Sequence, residues 1–244
     1  MKRLSLTKFF AKFRFQLKDF GQGLELVNLR EIQNLRKVFG YFSFLLLVWG
    51  LYRYLVKLPE NVEELILKPV IWLGSLVWMV KRVEKKPFSS LGLTFKNWSK
   101  GLIWGMGLGL LFSLEGFLLV FLKNNLISLS SSCFFCSQFH QILLAALITG
   151  FTEELVFRGF FFDRLQNIYK KEWQANLTAS ILFALIHLPI TIFVLKYNFP
   201  QLLAYGFIVF TYSLGAGFAF ARSKTILAPV ILHFLWRWPV LFFG

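Results

Sequence analysis

The chain has 244 residues, of which 57% are hydrophobic, 19% are aromatic and only 16% are charged. A soluble domain needs about 25% charged residues, and one core of this size could not bury 31 phenylalanines and eight tryptophans. Lysine and arginine outnumber aspartate and glutamate by 27 to 12, yet no nucleic-acid-binding pattern is present, so we predict no nucleic-acid partner. Composition excludes soluble, disordered, fibrous and disulfide-rich classes and predicts a membrane protein with several spans.

The first 37 residues are predicted to be a basic amphipathic segment, and the first apolar stretch begins too late for a secretory signal peptide. Four phenylalanines lie among four basic residues there: Phe9, Phe10, Phe13 and Phe15 with Lys8, Lys12, Arg14 and Lys18. Such a segment can lie on the anionic inner leaflet, which makes membrane lipids a predicted partner; a solvated basic tail is the alternative.

Seven later stretches are predicted as membrane spans, because a transmembrane helix needs about 20 mostly apolar residues. They are residues 38–56, 65–80, 103–121, 140–162, 175–195, 202–220 and 226–243, of which the second is short. Residues 38–244 are therefore predicted to form one domain, an all-α polytopic membrane bundle of about seven helices.

The distribution of basic residues predicts the orientation of this bundle. With a cytoplasmic N-terminus, 20 of the 27 lysines and arginines lie in cytoplasmic segments. The four in external segments or at their edges are Lys57, Lys68, Lys123 and Lys196, and the three within spans are Arg53, Arg158 and Arg237. This asymmetry predicts a multi-pass protein, in the plasma membrane if the host is a prokaryote.

Two further features have simple interpretations. Cys133 and Cys136 lie in the third predicted external loop with a histidine close behind, which gives three candidate zinc ligands where a structural site needs four. A disulfide or two unreactive thiols are the alternatives. Gly101, Gly105 and Gly109 form a stripe of small residues, which predicts close helix packing.

The fourth span contains ionisable residues, which are costly in hydrocarbon and indicate a functional site. Glu154 and Arg158 are four residues apart, so they share a helix face and are predicted to form an ion pair. Glu153 projects about 100° away around the helix and is therefore free to act chemically.

Two histidines follow in later spans. His187 of the fifth span lies one turn after Phe183, which would restrict the imidazole, and Pro189 frees space beside it. His233 lies in the seventh span. Glu153 and one histidine can activate water as a general base, while a second histidine donates to an oxyanion. The same three groups could instead hold a zinc ion, as a His₂Glu set does in known peptidases.

Three motifs, taken in order, resemble those of the CPBP family over roughly residues 103–243. They are Glu153-Glu154-x-x-x-Arg158, Phe183-x-x-x-His187 and His233 in a late helix. The family comprises CAAX prenyl endopeptidases of the Rce1 type and bacterial bacteriocin-processing or immunity proteins.

The resemblance implies a helical intramembrane endopeptidase that cleaves a membrane-associated protein or peptide, such as a prenylated CAAX protein. Its active site would be a polar cavity open toward the cytoplasmic side. Glu153 would activate water with His187, and His233 would stabilise the oxyanion. Supporting roles would fall to Glu154, Arg158 and Phe183. Although the family was long described as metallopeptidases, its structural picture favours a glutamate mechanism with no cofactor.

Arg237 departs from the family pattern, which usually has asparagine four residues after the histidine. Arginine is permanently charged and can only donate hydrogen bonds. It could stabilise negative charge, pair with Glu153 or Glu115 and suppress the base, or extend to the external interface.

Two other functions are compatible with the sequence. One is a non-proteolytic membrane scaffold or bacteriocin immunity protein that keeps the polar cavity for binding. The other is a small transporter that uses Glu115, Glu153 and the histidines as a proton relay. Transporters of that kind often contain inverted repeats, and none is visible in the sequence.

Overall fold

The computed structural model describes residues 29–56, 58–59, 62–124 and 139–243, and these ranges contain helices but no strand. Within them seven helices follow one another, as the sequence predicted. They are α1 (Leu29–Leu55), α2 (Glu63–Leu67, Lys68–Trp78 and Met79–Val83), α3 (Trp98–Asn124), α4 (Phe139–Glu154, Leu155–Phe162 and Asp163–Tyr169), α5 (Glu172–Ile186, then Ile190–Val194), α6 (Phe199–Ser223) and α7 (Leu227–Phe243). Each overlaps one predicted span, whereas most of the basic N-terminal segment lies outside the described residues.

Four of these helices are long and apolar enough to cross a membrane. They contain the stretches Glu31–Leu55, Trp98–Leu118, Glu172–Val194 and Phe199–Ser223. Helix α7 is apolar but shorter over Leu227–Leu241. The other two helices, α2 and α4, each concentrate three ionisable residues within six positions: Glu63, Glu64 and Lys68 on α2, and Glu153, Glu154 and Arg158 on α4. Helices α2 and α4, which are not among these four spans, therefore bring charge into the bundle.

A cluster of buried aromatic rings, here called the aromatic layer, surrounds the second half of α4. Its members are Phe157, Phe160, Phe161 and Phe162 of α4, Tyr41 and Phe42 of α1, Phe183 of α5 and Phe220 of α6. Ring centroids lie 5.2 Å apart between Tyr41 and Phe160, and 4.9 Å apart between Phe157 and Phe183. Contacts at these distances fix α4 against α1 and α5.

The glycine stripe on α3 packs against α7. A Cβ atom at Gly101 would lie 2.8 Å from a Thr225 methyl, and one at Gly105 would lie 2.8 Å from the Ala228 carbonyl oxygen. Small residues therefore let the two backbones approach closely, as predicted. This packing sets the position of α7, which carries His233.

Candidate active site

Glu154 is the centre of a fully buried hydrogen-bond network that joins α4, α6 and α7. Its Oε1 accepts from Arg158 Nη1 at 2.9 Å, from the Tyr212 hydroxyl at 2.6 Å and from His233 Nδ1 at 2.8 Å. Arg158 also donates to the hydroxyl and carbonyl of Ser213. The predicted ion pair is present, and its burial with several partners indicates that Glu154 has a structural role.

Glu153 points to different neighbours, as expected from its position around the helix. It is 4% exposed, and its Oε1 lies 2.5 Å from the ammonium nitrogen of Lys68 on α2. Its Oε2 lies 3.9 Å from Nε2 of His233. The adjacent glutamates thus have different cationic partners, Arg158 for Glu154 and Lys68 for Glu153, while His233 lies between them.

His187 lies where α5 is interrupted. A hydrogen bond to the preceding turn fixes which of its ring nitrogens carries the hydrogen. The regular helix ends at Ile186, and a short irregular stretch containing Pro189 precedes the last turns. The His187 Nδ1 lies 2.7 Å from the Phe183 carbonyl oxygen, and the two rings are 4.7 Å apart. Because a carbonyl oxygen only accepts, Nδ1 carries the hydrogen, and the Nε2 of neutral His187 keeps a free lone pair.

The same reasoning assigns the tautomer of His233. Its Nδ1 faces Glu154, whose carboxylate is paired with Arg158 and can only accept. The hydrogen of neutral His233 is therefore on Nδ1, and Nε2 presents a lone pair toward Glu153. A neutral His233 in this position is an acceptor, so donation to an oxyanion would require its imidazolium form.

A second network, contributed by α1 and α2, was not recognised from the sequence. Arg53 forms an ion pair with Glu63, and Lys68 Nζ lies 2.9 Å from Glu64 Oε2 as well as beside Glu153. Lys68 was expected at an external edge but is only 5% exposed. The available signal was the four-residue spacing of Glu64 and Lys68 at the start of a predicted span.

These groups line one cavity of about 160 Å³, which has room for several water molecules. Glu153, His187, His233 and Arg237 all contribute to its wall, together with Lys68, Glu64 and Arg53. Aromatic and aliphatic side chains supply the rest, among them Trp49, Trp72, Ile190, Tyr205, Trp236 and Val240. The three predicted catalytic residues therefore share a single cavity with Arg237.

Arg237 lines this cavity without pairing with either of the carboxylates considered from the sequence. Glu153 is paired with Lys68, and Glu115 accepts from the Thr211 hydroxyl at 2.6 Å and from Trp236 Nε1 at 3.0 Å. No described carboxylate lies within 4.0 Å of the Arg237 guanidinium. Its donors are therefore available to the contents of the cavity.

The donor set does not fit a resident zinc ion as the side chains are arranged. Across the described ranges, no three His, Cys, Asp or Glu side chains converge as metal ligands. The Lys68 ammonium also occupies one face of the Glu153 carboxylate, where a cation would bind. The loop that contains Cys133 and Cys136 lies outside the described residues.

Long apolar helices around a buried cavity of carboxylate, imidazole and guanidinium groups define an integral membrane protein with a polar site inside the bundle. A protein-family model described as type II CAAX prenyl endopeptidase Rce1-like matches residues 135–239. The chain is therefore similar to the Rce1-like family over these residues, in agreement with the resemblance of its motifs. No curated protein and no solved structure matches the chain.

Proposed function

We propose that this protein is an intramembrane endopeptidase that hydrolyses a peptide bond of a membrane-associated protein or peptide. One observation carries the proposal: Glu153, His187 and His233 come from three helices of the Rce1-like region and line one cavity with room for several water molecules. Buried ionisable groups that face a cavity are costly and mark functional sites. All seven helices are proposed to span the membrane, with the N-terminus in the cytoplasm.

Water activation is assigned to Glu153 and His187. A water molecule between the Glu153 carboxylate and the free Nε2 of His187 loses a proton to one of them as its oxygen attacks the scissile carbonyl carbon. The carbonyl π bond breaks and its oxygen becomes an oxyanion. When the C–N bond later breaks, the proton held by the enzyme passes to the leaving amine, so the reaction consumes one water and regenerates both groups.

Oxyanion stabilisation is assigned jointly to Arg237 and to His233 in its protonated form. Arg237 lies one turn beyond His233 on α7, lines the same cavity and has donors that are not paired with a carboxylate. A guanidinium always carries its protons, so it can donate to negative charge whatever the state of His233. Arginine thereby takes the part that an asparagine amide usually has in this family.

The proposed mechanism requires no metal. The arrangement of the possible ligand side chains supports this part of the proposal. Glu153 is occupied by Lys68, and the described ligand side chains do not converge as a three-ligand group. The roles of Glu153 and His187 are therefore those of proton-transfer groups.

The Lys68–Glu153 contact also favours a second candidate, a non-proteolytic scaffold or bacteriocin immunity protein. A carboxylate held at 2.5 Å from an ammonium is a weaker base than a free one. If Glu153 is permanently held in this way, the cavity binds a ligand without cleaving it, and Glu153 could be replaced by alanine without loss of the cellular effect.

The test compares wild type with Glu153→Gln in detergent, using quenched prenylated and unprenylated peptides with and without a zinc chelator. Loss of a general base typically costs about 10²–10⁴-fold in rate, so we expect kcat to fall at least about 100-fold in this variant. Glu115→Gln is the matched control, because Glu115 is a half-buried carboxylate of the bundle that does not line the cavity.

The glutamate mechanism is supported if Glu153→Gln loses cleavage while Glu115→Gln keeps it, and if the wild-type protein still cleaves in the presence of the chelator. Cleavage that is lost to the chelator and restored by zinc would replace it with a metal mechanism. If the wild-type protein cleaves no peptide of the panel and Arg237→Asn gains no activity, the result would favour the non-proteolytic scaffold or immunity protein.

A further inference from the structure

The active-site cavity lies toward one end of the helical bundle. Three lining residues are close to helix termini: Arg53 near the end of α1, Glu64 at the start of α2 and Val240 near the end of α7. Ile190 and Tyr205 line it from the last turns of α5 and the early turns of α6. At about 1.5 Å per residue, all five lie within about 10 Å of these termini.

Most of the described basic residues outside the cavity lie near the opposite ends of the helices, whereas Lys196 follows α5 at the cavity end. The end opposite to the cavity, here called the basic face, carries Lys37, Lys81, Arg82, Lys85, Lys86, Lys96, Lys100, Lys170, Lys171, Arg222 and Lys224. None of them lines the active-site cavity. The cavity therefore extends from the middle of the bundle toward the end opposite to the basic face.

The aromatic layer separates the two ends. Beyond Glu154, α4 continues through Leu155–Phe162, and every side chain in that stretch is buried. Phe157, Phe160, Phe161 and Phe162 are each 0% exposed, so α4 presents no exposed ring between the cavity and the basic face. Because close-packed protein interiors contain few voids larger than a water molecule, this buried layer leaves no space for an extended peptide.

A buried arginine fixes the two helices at the basic face itself. Arg164 donates to the Glu84 carboxylate at the end of α2 at 2.7 Å and to the Ser90 carbonyl oxygen at 2.9 Å. Its guanidinium is 4% exposed and forms ion pairs with Glu84 and Asp163, which offset the cost of burying its charge. A separate cavity of about 500 Å³ at this face, lined partly by Arg164 and Glu84, shares no residue with the active-site cavity.

We infer that the active site is reached from the membrane face opposite the basic face, and not from the cytoplasmic side as the family resemblance implies. Because basic residues mark the cytoplasmic side, that face is the extracytoplasmic one. The substrate is then a peptide segment that lies at the outer surface of the membrane or emerges from it, rather than a prenylated protein presented from the cytoplasm. The nature of the substrate rests on the proposed function, whereas the route of access does not.

Cysteine accessibility tests the route without requiring activity. The full chain is prepared with Cys133→Ser and Cys136→Ser, and single cysteines are introduced by Ile190→Cys or Val240→Cys in the cavity wall. Lys171→Cys, exposed on the basic face, is the matched control. A charged maleimide that does not cross membranes is applied to right-side-out spheroplasts and to inside-out vesicles, and full labelling in denaturant shows that each thiol can react.

We expect both cavity cysteines to label at least about tenfold faster in spheroplasts than in inside-out vesicles, and Lys171→Cys to show the opposite preference. Labelling of cavity and control positions from the same side would overturn the inference, as would reversal of both preferences. Cavity cysteines that label from neither side would mean that the cavity is closed to water, which also contradicts it. An inactive protein with the expected labelling would reject only the peptidase proposal.

Discussion

At the scale of single residues, two carboxylates that are adjacent in the chain have separate tasks. Glu154 accepts three hydrogen bonds and has 0% exposure, whereas Glu153 faces the cavity beside Lys68. A rotation of about 100° per residue is enough to send neighbouring side chains to different helices. One therefore holds the framework of the site while the other faces its contents.

The buried Glu154–Arg158 pair predicts a large stability difference between two arginine variants. Removing one partner of a buried ion pair typically costs about 3–5 kcal/mol, because the other charge is left unpaired, so we expect Arg158→Met to unfold readily. Arg222 pairs with Glu172 at an exposed position, where such a pair contributes about 0–1 kcal/mol. Arg222→Met is thus the control.

The measurement is unfolding of both variants in detergent, followed by helix content against denaturant. Arg158→Met is expected to shift the midpoint strongly and Arg222→Met to leave it near wild type. Equal midpoints for the two variants would show that Glu154 is satisfied by Tyr212 and His233 alone.

At the scale of helices, the position of α7 is set by the glycines of α3. A Cβ at Gly105 would approach the backbone of Ala228, whereas nothing lies within 4 Å of a Cβ at Gly107 on the same helix. His233 and Arg237 follow on α7, so a small displacement of that helix moves both away from Glu153. Packing between α3 and α7 thereby positions the two side chains that α7 contributes to the cavity.

Alanine at these two glycines separates steric effects from helix propensity. Overpacking typically costs about 1–3 kcal/mol, so Gly105→Ala is expected to lower the thermal stability and the kcat of the purified protein. Gly107→Ala has space for its methyl group and is expected to match wild type or exceed it slightly in stability. A stable, fully active Gly105→Ala would mean that α3 and α7 are not held in close contact.

The same scale explains which features could be predicted from sequence. The Glu154–Arg158 pair and the Phe183–His187 stack are local, because residues four apart on one helix meet wherever that helix lies. The Lys68–Glu153 contact joins α2 to α4, and no periodicity within either helix specifies it. Hydropathy located each helix but not its ends, since α1 begins at Leu29 rather than at residue 38 and α4 continues to Tyr169. The hydrogen bond that fixes the His187 tautomer is local to α5, whereas the one that fixes the His233 tautomer depends on tertiary packing.

At the scale of the whole molecule, the site extends beyond the matched family domain. Residues 135–239 contain Glu153, His187, His233 and Arg237, whereas Lys68 belongs to α2, well before that region. The N-terminal helices thus supply the counter-charge of the proposed catalytic glutamate. Lys68 acts through Glu153 and is therefore a positioning residue.

Replacement of Lys68 tests this role. Lys68→Met leaves Glu153 without its ammonium partner, so we expect kcat to fall at least about tenfold while KM changes little, because the carboxylate loses its orientation. Lys68→Arg keeps the charge and is expected to recover part of kcat. Lys81→Met, at an exposed position of the same helix, is the control. If both Lys68 variants lose stability and do not differ in kcat, the role of the lysine would be purely structural.

The aromatic layer also has an electrical consequence. A water-filled cavity takes the potential of the compartment to which it opens, so most of the membrane voltage falls across the packed rings beyond Glu154. A charge that crosses 100 mV exchanges about 2.3 kcal/mol with the field. Protons and peptide charges that move only between the outer medium and Glu153 cross little of that voltage. Hydrolysis in this cavity should therefore proceed at the same rate in energised and de-energised membranes.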